Sequence, residues 1–175
     1  MPIWMVIVEW SARIILLMLV LLSVWSFAII LDRKKIFNTL LIKPFLDELI
    51  GVMNKVNPSF IDQAISKNLF QKKIELEKGL AILGTLGSTT PFIGLLGTIL
   101  GIIVAFGELS QGKGDTNSIM FALAEALILT AVGLFVAIPA VIAFNYFNKK
   151  IKIFFDEVSS EIDFHQSNIN KKENN

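Results

Sequence analysis

The chain has 175 residues, 54% of them apolar and only 18% charged, with a formal net charge of +1. So small a net charge gives no bulk electrostatic case for nucleic acid, and the absence of cysteine excludes a disulfide scaffold or a thiolate metal site. The charges fall in blocks separated by long uncharged stretches, the pattern of an integral membrane protein rather than a soluble domain.

Three stretches meet the length test for a membrane helix, about 20 apolar residues at 1.5 Å rise each. The first, Ile14–Leu31, completes an N-terminal segment, 1–31, that opens with Trp4 and Trp10, residues suited to a membrane interface. Glu9 and Arg13 are four apart and are expected to pair on one helix face. A cleaved signal peptide is disfavoured here, because the run is too long for an h-region and no small-x-small cleavage site precedes Asp32.

Residues 32–78 form a polar, helical loop. The basic cluster Arg33–Lys35 stops transfer, and Asn57-Pro58-Ser59 interrupts the segment. Ser59 with Asp62 resembles a capping box, followed by Ile61, Ile65 and Leu69 at helical spacing. The expectation is a helix from about Ser59 that runs unbroken into the second membrane helix, 79–107. A short loop, 108–117, leads to the third, 118–148, whose one charge is Glu125. Beyond it Ile151, Phe154, Phe155, Val158 and Ile162 mark an amphipathic extension within 149–175. The last ten residues read as a disordered tail, and His165 beside it as a solvated side chain.

Lysine and arginine counts set the topology. Nine lie between the first and second helices (Arg33, Lys34, Lys35, Lys43, Lys55, Lys67, Lys72, Lys73, Lys78) and five after the third (Lys149, Lys150, Lys152, Lys171, Lys172). Only Arg13 and Lys113 lie on the other side. The N-terminus is therefore expected outside, with the long loop and the C-terminal segment in the cytoplasm.

Helix three carries Ala122, Ala126, Thr130, Gly133, Ala137 and Ala140 in one narrow stripe, with Leu127, Leu134, Ile138 and Ile142 opposite. Helix two does likewise with Gly87, Gly94, Thr98, Gly101 and Ala105, and contains Gly97-x-x-x-Gly101. Lipid supplies no hydrophobic drive for helix association, so small faces that permit close approach are read as packing faces against protein. Pro91 and Pro139 fall inside these helices and are candidate kinks.

Glu125 lies seven residues, roughly 10 Å, inside its helix. An acid there costs on the order of a few kcal/mol and should face protein or water. It is either hydrogen-bonded to a neighbouring helix or part of a polar ion pathway. Counting inward from the short loop puts Thr98, Glu125 and Thr130 near one depth. Threonine hydroxyls do not titrate usefully, but they hold water, or else bond their own helix carbonyls.

Two segments carry a resemblance to a known family. They are Gly87-Ser-Thr-Thr-Pro-Phe-Ile-Gly-Leu-Leu-Gly-Thr-Ile-Leu-Gly101 and Ala124-Glu-Ala-Leu-Ile-Leu-Thr-Ala-Val-Gly-Leu-Phe-Val-Ala-Ile-Pro-Ala140. Both resemble the ExbB/TolQ/MotA family of proton-channel subunits, fitting ExbB and TolQ better than MotA. The run Ser23–Arg33 leans weakly to TolQ.

The resemblance implies an all-α membrane protein of three spanning helices, the second and third extended into the cytoplasm. It implies a homopentamer around a central pore in the bacterial inner membrane. The pore would hold an ExbD/TolR-like single-helix partner bearing an essential aspartate. Thr98 and Thr130 match the family's pore-facing threonines, and Glu125 its motif glutamate. Proton passage through the partner would turn it, and a TonB/TolA-like protein would carry the work across the periplasm in TonB-dependent transport or the Tol-Pal system. Compared with better-known members, little precedes the first helix and the loop is short.

Two other readings compete: a structural membrane scaffold and a small secondary transporter. No nucleophile–base pair, metal cluster or phosphate loop is visible, so neither an enzyme nor a cofactor is expected.

Overall fold

The computed structural model describes residues 3–40, 42–53, 55–57, 60–112 and 116–173, excluding the side chains of 4, 5, 9, 166 and 168–173. The expected Glu9–Arg13 pair, Trp4 and the Ser59 cap lie outside these described residues. Within them the chain is helical with no strand: α1 (Ile3–Thr39), α2 (Ile42–Met53), α3 (Ile61–Glu77), α4 (Leu80–Ser110) and α5 (Thr116–Glu173). Three helices are long and apolar enough to cross a membrane, over Val6–Thr39, Leu80–Ser110 and Thr116–His165. At 1.5 Å per residue the 58-residue α5 is about 87 Å long against a hydrocarbon core of about 30 Å, so most of it lies outside any bilayer.

Four details differ from the sequence expectations. The helix entering α4 is not unbroken: α3 ends at Glu77, and Gly79 takes a φ of 79° before α4 begins. That left-handed residue just past a helix end is a glycine stop, and the Lys78 N–H closes the last turn on the Ile74 carbonyl at 3.1 Å. Secondly, the polar segment contains the unforeseen α2, which buries Phe45, Leu49 and Met53 at intervals of four. Thirdly, residues 166–173 continue α5 instead of forming a disordered tail. Once a helix exists, each further residue extends it without a new nucleation cost. Fourthly, α4 runs to Ser110, past the boundary at 107.

The chain divides into two compact units, Met1–Asp32 with Ala81–Phe144, and Arg33–Leu80 with Asn145–Asn175. In the first, α1 contributes Ile15 and Leu19, which pack on Leu129 of α5. The rest of α1 is largely exposed apolar surface, including Leu17, Leu21, Val24 and Phe27. Trp10 is exposed too, with the Arg13 guanidinium 5.9 Å from its ring centre.

The second unit has a conventional apolar interior. Phe37 stacks on Phe147 with ring centres 5.0 Å apart, and Phe45 lies 5.6 Å from Phe154. The amphipathic stripe of α5 buries Ile151, Phe154, Val158 and Ile162, while Phe155 is half-buried, as is His165. Arg33, from the stop-transfer cluster, is itself buried and donates from Nη1 to the Glu75 carbonyl at 3.3 Å. Leu76 is fully buried here. Leu76→Ala should lower this unit's stability by about 2–5 kcal/mol, the cost of a core cavity. Protease cleavage within residues 33–80 would then begin at a lower denaturant concentration, whereas an unchanged threshold would remove Leu76 from the core.

Candidate functional site

The small-residue faces of α4 and α5 meet each other. At Gly94 and Gly133 backbone packs on backbone. A Cβ added to Gly94 would sit 2.7 Å from the Leu129 carbonyl oxygen and 3.1 Å from the Thr130 Cα. One added to Gly133 would sit 2.7 Å from the Thr90 carbonyl oxygen and 3.1 Å from the Gly94 Cα. These obstacles are backbone, which has nowhere to move without parting the helices. Gly87 faces Val141, Gly97 faces Leu129 and Ile15, and Gly101 faces Ala126 along the same contact. Ala126, Ala137 and Ala140 are buried and Ala122 is half-buried, whereas Leu127, Leu134, Ile138 and Ile142 are exposed. The small stripes are therefore packing faces within one chain.

That close approach brings Thr98 and Thr130 together. Thr98 is buried at 7% exposure and Thr130 is half-buried, and their hydroxyls hydrogen-bond across the contact. The Thr98 Oγ1 also lies 3.1 Å from the Ala126 carbonyl and 3.2 Å from the Gly94 carbonyl. A hydroxyl has one proton, and carbonyls only accept. The arrangement that satisfies every group has Thr130 donating to Thr98 and Thr98 donating onward to a carbonyl. The chain of bonds ends on a backbone oxygen, which takes no proton at neutral pH. It can orient a water or a polar guest at the half-open Thr130, but it cannot relay a proton unaided.

Glu125 does not join the pair. It is exposed, makes no hydrogen bond among the described residues, and lines a cleft of about 70 Å³ with Ala12, Arg13, Gly101 and Ala126. The geometry of the helix explains this. Five residues separate Glu125 from Thr130, so the two project about 140° apart at 100° per residue. Shared depth is not a shared face. The cleft sets a carboxylate and a guanidinium from different helices around one small space, at the end of the α4–α5 contact marked by Gly101.

Thr90, which the sequence did not single out, is fully buried and donates to the Leu86 carbonyl at 2.7 Å. Its backbone carbonyl forms the surface against which Gly133 packs. The signal was present in the run Gly87-Ser-Thr-Thr-Pro91, where only one of three hydroxyl residues falls on the inner face. Pro91 and Pro139 lie within α4 and α5. Having no N–H, they leave the carbonyls of Gly87 and Phe135 without their usual helical donor.

Gly94→Ala should therefore destabilise the protein by about 1–3 kcal/mol through overpacking. Gly51, on α2, has nothing within 4 Å of an added Cβ, and Gly51→Ala should be neutral or stabilise by roughly 0.5–1 kcal/mol. Thermal unfolding of both variants in detergent checks the contrast. Equal midpoints would show that the two helices do not meet at Gly94.

A family profile described as the MotA/TolQ/ExbB proton channel family matches residues 33–160. The biopolymer transport protein ExbB of Xanthomonas campestris pv. campestris is 44% identical over 91 residues, covering 51% of this chain and 36% of that protein. An ExbB-like protein of Helicobacter pylori, ExbB-like 2, is 36% identical over 138 residues, 77% of each chain. The ExbB of Aquifex aeolicus is 37% identical over 118 residues, 67% of this chain and 80% of its own length. The match thus spans about a third of the Xanthomonas protein and most of the other two. With the profile covering well over half of its length, the chain belongs to the MotA/TolQ/ExbB proton channel family.

Proposed function

We propose that the chain is the channel-forming subunit of a proton-driven complex in a bacterial inner membrane. In this reading several copies, five by family resemblance, surround a pore that holds an ExbD/TolR-like partner helix bearing a titrating carboxylate. Proton passage moves the partner, and a TonB/TolA-like protein delivers the work to outer-membrane processes. One charge crossing 100 mV supplies about 2.3 kcal/mol, enough to drive a conformational step. Two of the relatives named above are ExbB proteins and the third is ExbB-like, which favours a TonB-linked system over Tol-Pal despite the lean of Ser23–Arg33. The lysine and arginine asymmetry supports an N-terminus in the periplasm, with the segments 32–78 and 149–175 in the cytoplasm. No bond-making chemistry and no cofactor is assigned to the chain.

The observation that carries this reading is the Thr98–Thr130 pair. Two hydroxyls in the middle of apolar helices are bonded to each other, with one edge left half-open. An isolated threonine in a membrane helix satisfies itself on its own backbone, as Thr85 and Thr89 do. A pair that bonds across helices and keeps an open edge offers a polar surface to something that passes. A scaffold has no use for that edge, and a secondary transporter would function without a single-helix partner.

Thr98→Ala and Thr130→Ala should each reduce partner-dependent proton flux in proteoliposomes by roughly tenfold, the scale of one lost or orphaned hydrogen bond. The serine variants should retain it. Assembly size should stay unchanged in all four. Wild-type flux in both alanine variants would favour the scaffold, and flux from a partner-free assembly would favour the transporter.

A further inference from the structure

Ser26 departs from a pattern that several hydroxyls in these helices keep. Ser11, Thr85, Thr89 and Thr90 each return their hydroxyl to the carbonyl three or four residues back. Ser26 is only 2% exposed, and its hydroxyl has no hydrogen-bond partner among the described residues. An unsatisfied buried hydroxyl is costly anywhere, and in a bilayer no bulk water is at hand to relieve it.

Ser26 lines a cavity of about 380 Å³ with Ser23, Phe27, Phe135, Val136 and Pro139. Phe135 and Pro139 line the same wall. Pro139 has no N–H, so the Phe135 carbonyl lacks the donor that an ordinary helix would supply. The cavity therefore holds a hydroxyl in want of a partner beside a residue whose carbonyl has lost its usual helical donor. A single hydroxyl answers both, accepting from Ser26 and donating to Phe135.

Water alone fits poorly. The space would take on the order of a dozen waters at ~30 Å³ each, and each needs two to four polar partners. The two serines are the only polar side chains in a lining of phenylalanine, valine, isoleucine and proline. A purely hydrocarbon occupant fits the walls but leaves both polar groups unpaired.

We propose that this cavity between α1 and α5 is a binding site for a lipid-phase amphiphile, a hydrocarbon body bearing one hydroxyl. The Ser26 hydroxyl and the Phe135 carbonyl recognise the hydroxyl, and Phe27, Phe135 and Val136 hold the body. The site is distinct from the Thr98–Thr130 pair and does not depend on the proton-channel reading.

The test uses the full chain in vesicles of phosphatidylethanolamine and phosphatidylglycerol, labelled with a diazirine derivative of octanol and, separately, of octane. The alcohol should label residues 23–30 and 135–139 about three- to tenfold more than the alkane, the range of one neutral hydrogen bond. Ser26→Ala should bring the alcohol down to the alkane's level. Pro139→Ala, which restores a donor to the Phe135 carbonyl, should also reduce alcohol labelling. Thermal unfolding of each variant confirms that it is folded. Equal labelling by the two probes, or alcohol labelling unaffected by Ser26→Ala, would overturn the proposal. So would disulfide cross-linking of Val24→Cys between copies without labelling, since a second copy would then cover the cavity.

Discussion

At the contact between α4 and α5, two peptide backbones meet where other residues would hold them apart with side chains. In lipid the surrounding medium is as apolar as leucine, so burying leucines there gains little. What remains is dispersion between closely fitted atoms, and its strength falls off within an ångström of separation. Gly94 and Gly133, each packed on the other's backbone, set that distance. Because the helices come this close, a threonine on α4 reaches both the hydroxyl of Thr130 and the carbonyl of Ala126. The polar site is a consequence of the packing, not an addition to it.

The same constraint explains what the site lacks. A pair of hydroxyls ending on a backbone carbonyl has direction but no titrating member, and Glu125 lines a separate cleft with Arg13. In the proposed assembly the chain supplies shape, polarity and a seat for water, while the proton carrier comes from another protein. The second unit is held by different physics, through stacked aromatics and a conventional apolar core. Its stability can thus be altered without touching the threonines.

Much of this was legible in the sequence, and the successes share a cause. Small residues recurring every three or four positions from Gly87 to Ala105 and from Ala122 to Ala140 define faces by helical geometry alone, and those faces are buried. What failed depended on single-residue geometry or tertiary context. Depth counting grouped Glu125 with the threonines because it ignores the angle around the axis. Gly79 was read as the start of an apolar run, but its positive φ makes it a helix stop. The helix Ile42–Met53 is short, and its three buried residues stand out only once α5 supplies Phe154 for Phe45 to pack on. Arg33 was read as a topology signal, yet it is also buried and bonded to the Glu75 carbonyl. Charge counting registers where a residue sits along the chain and not what its side chain touches.

The central claim is that this chain frames a proton path whose carrier it does not contain. The most direct test is proton flux across liposomes reconstituted with this chain alone, compared with liposomes that also hold the proposed single-helix partner, under the same membrane potential. The account predicts that the chain alone stays proton-tight and that the complete complex conducts. Equal proton conductance by the chain alone would contradict it.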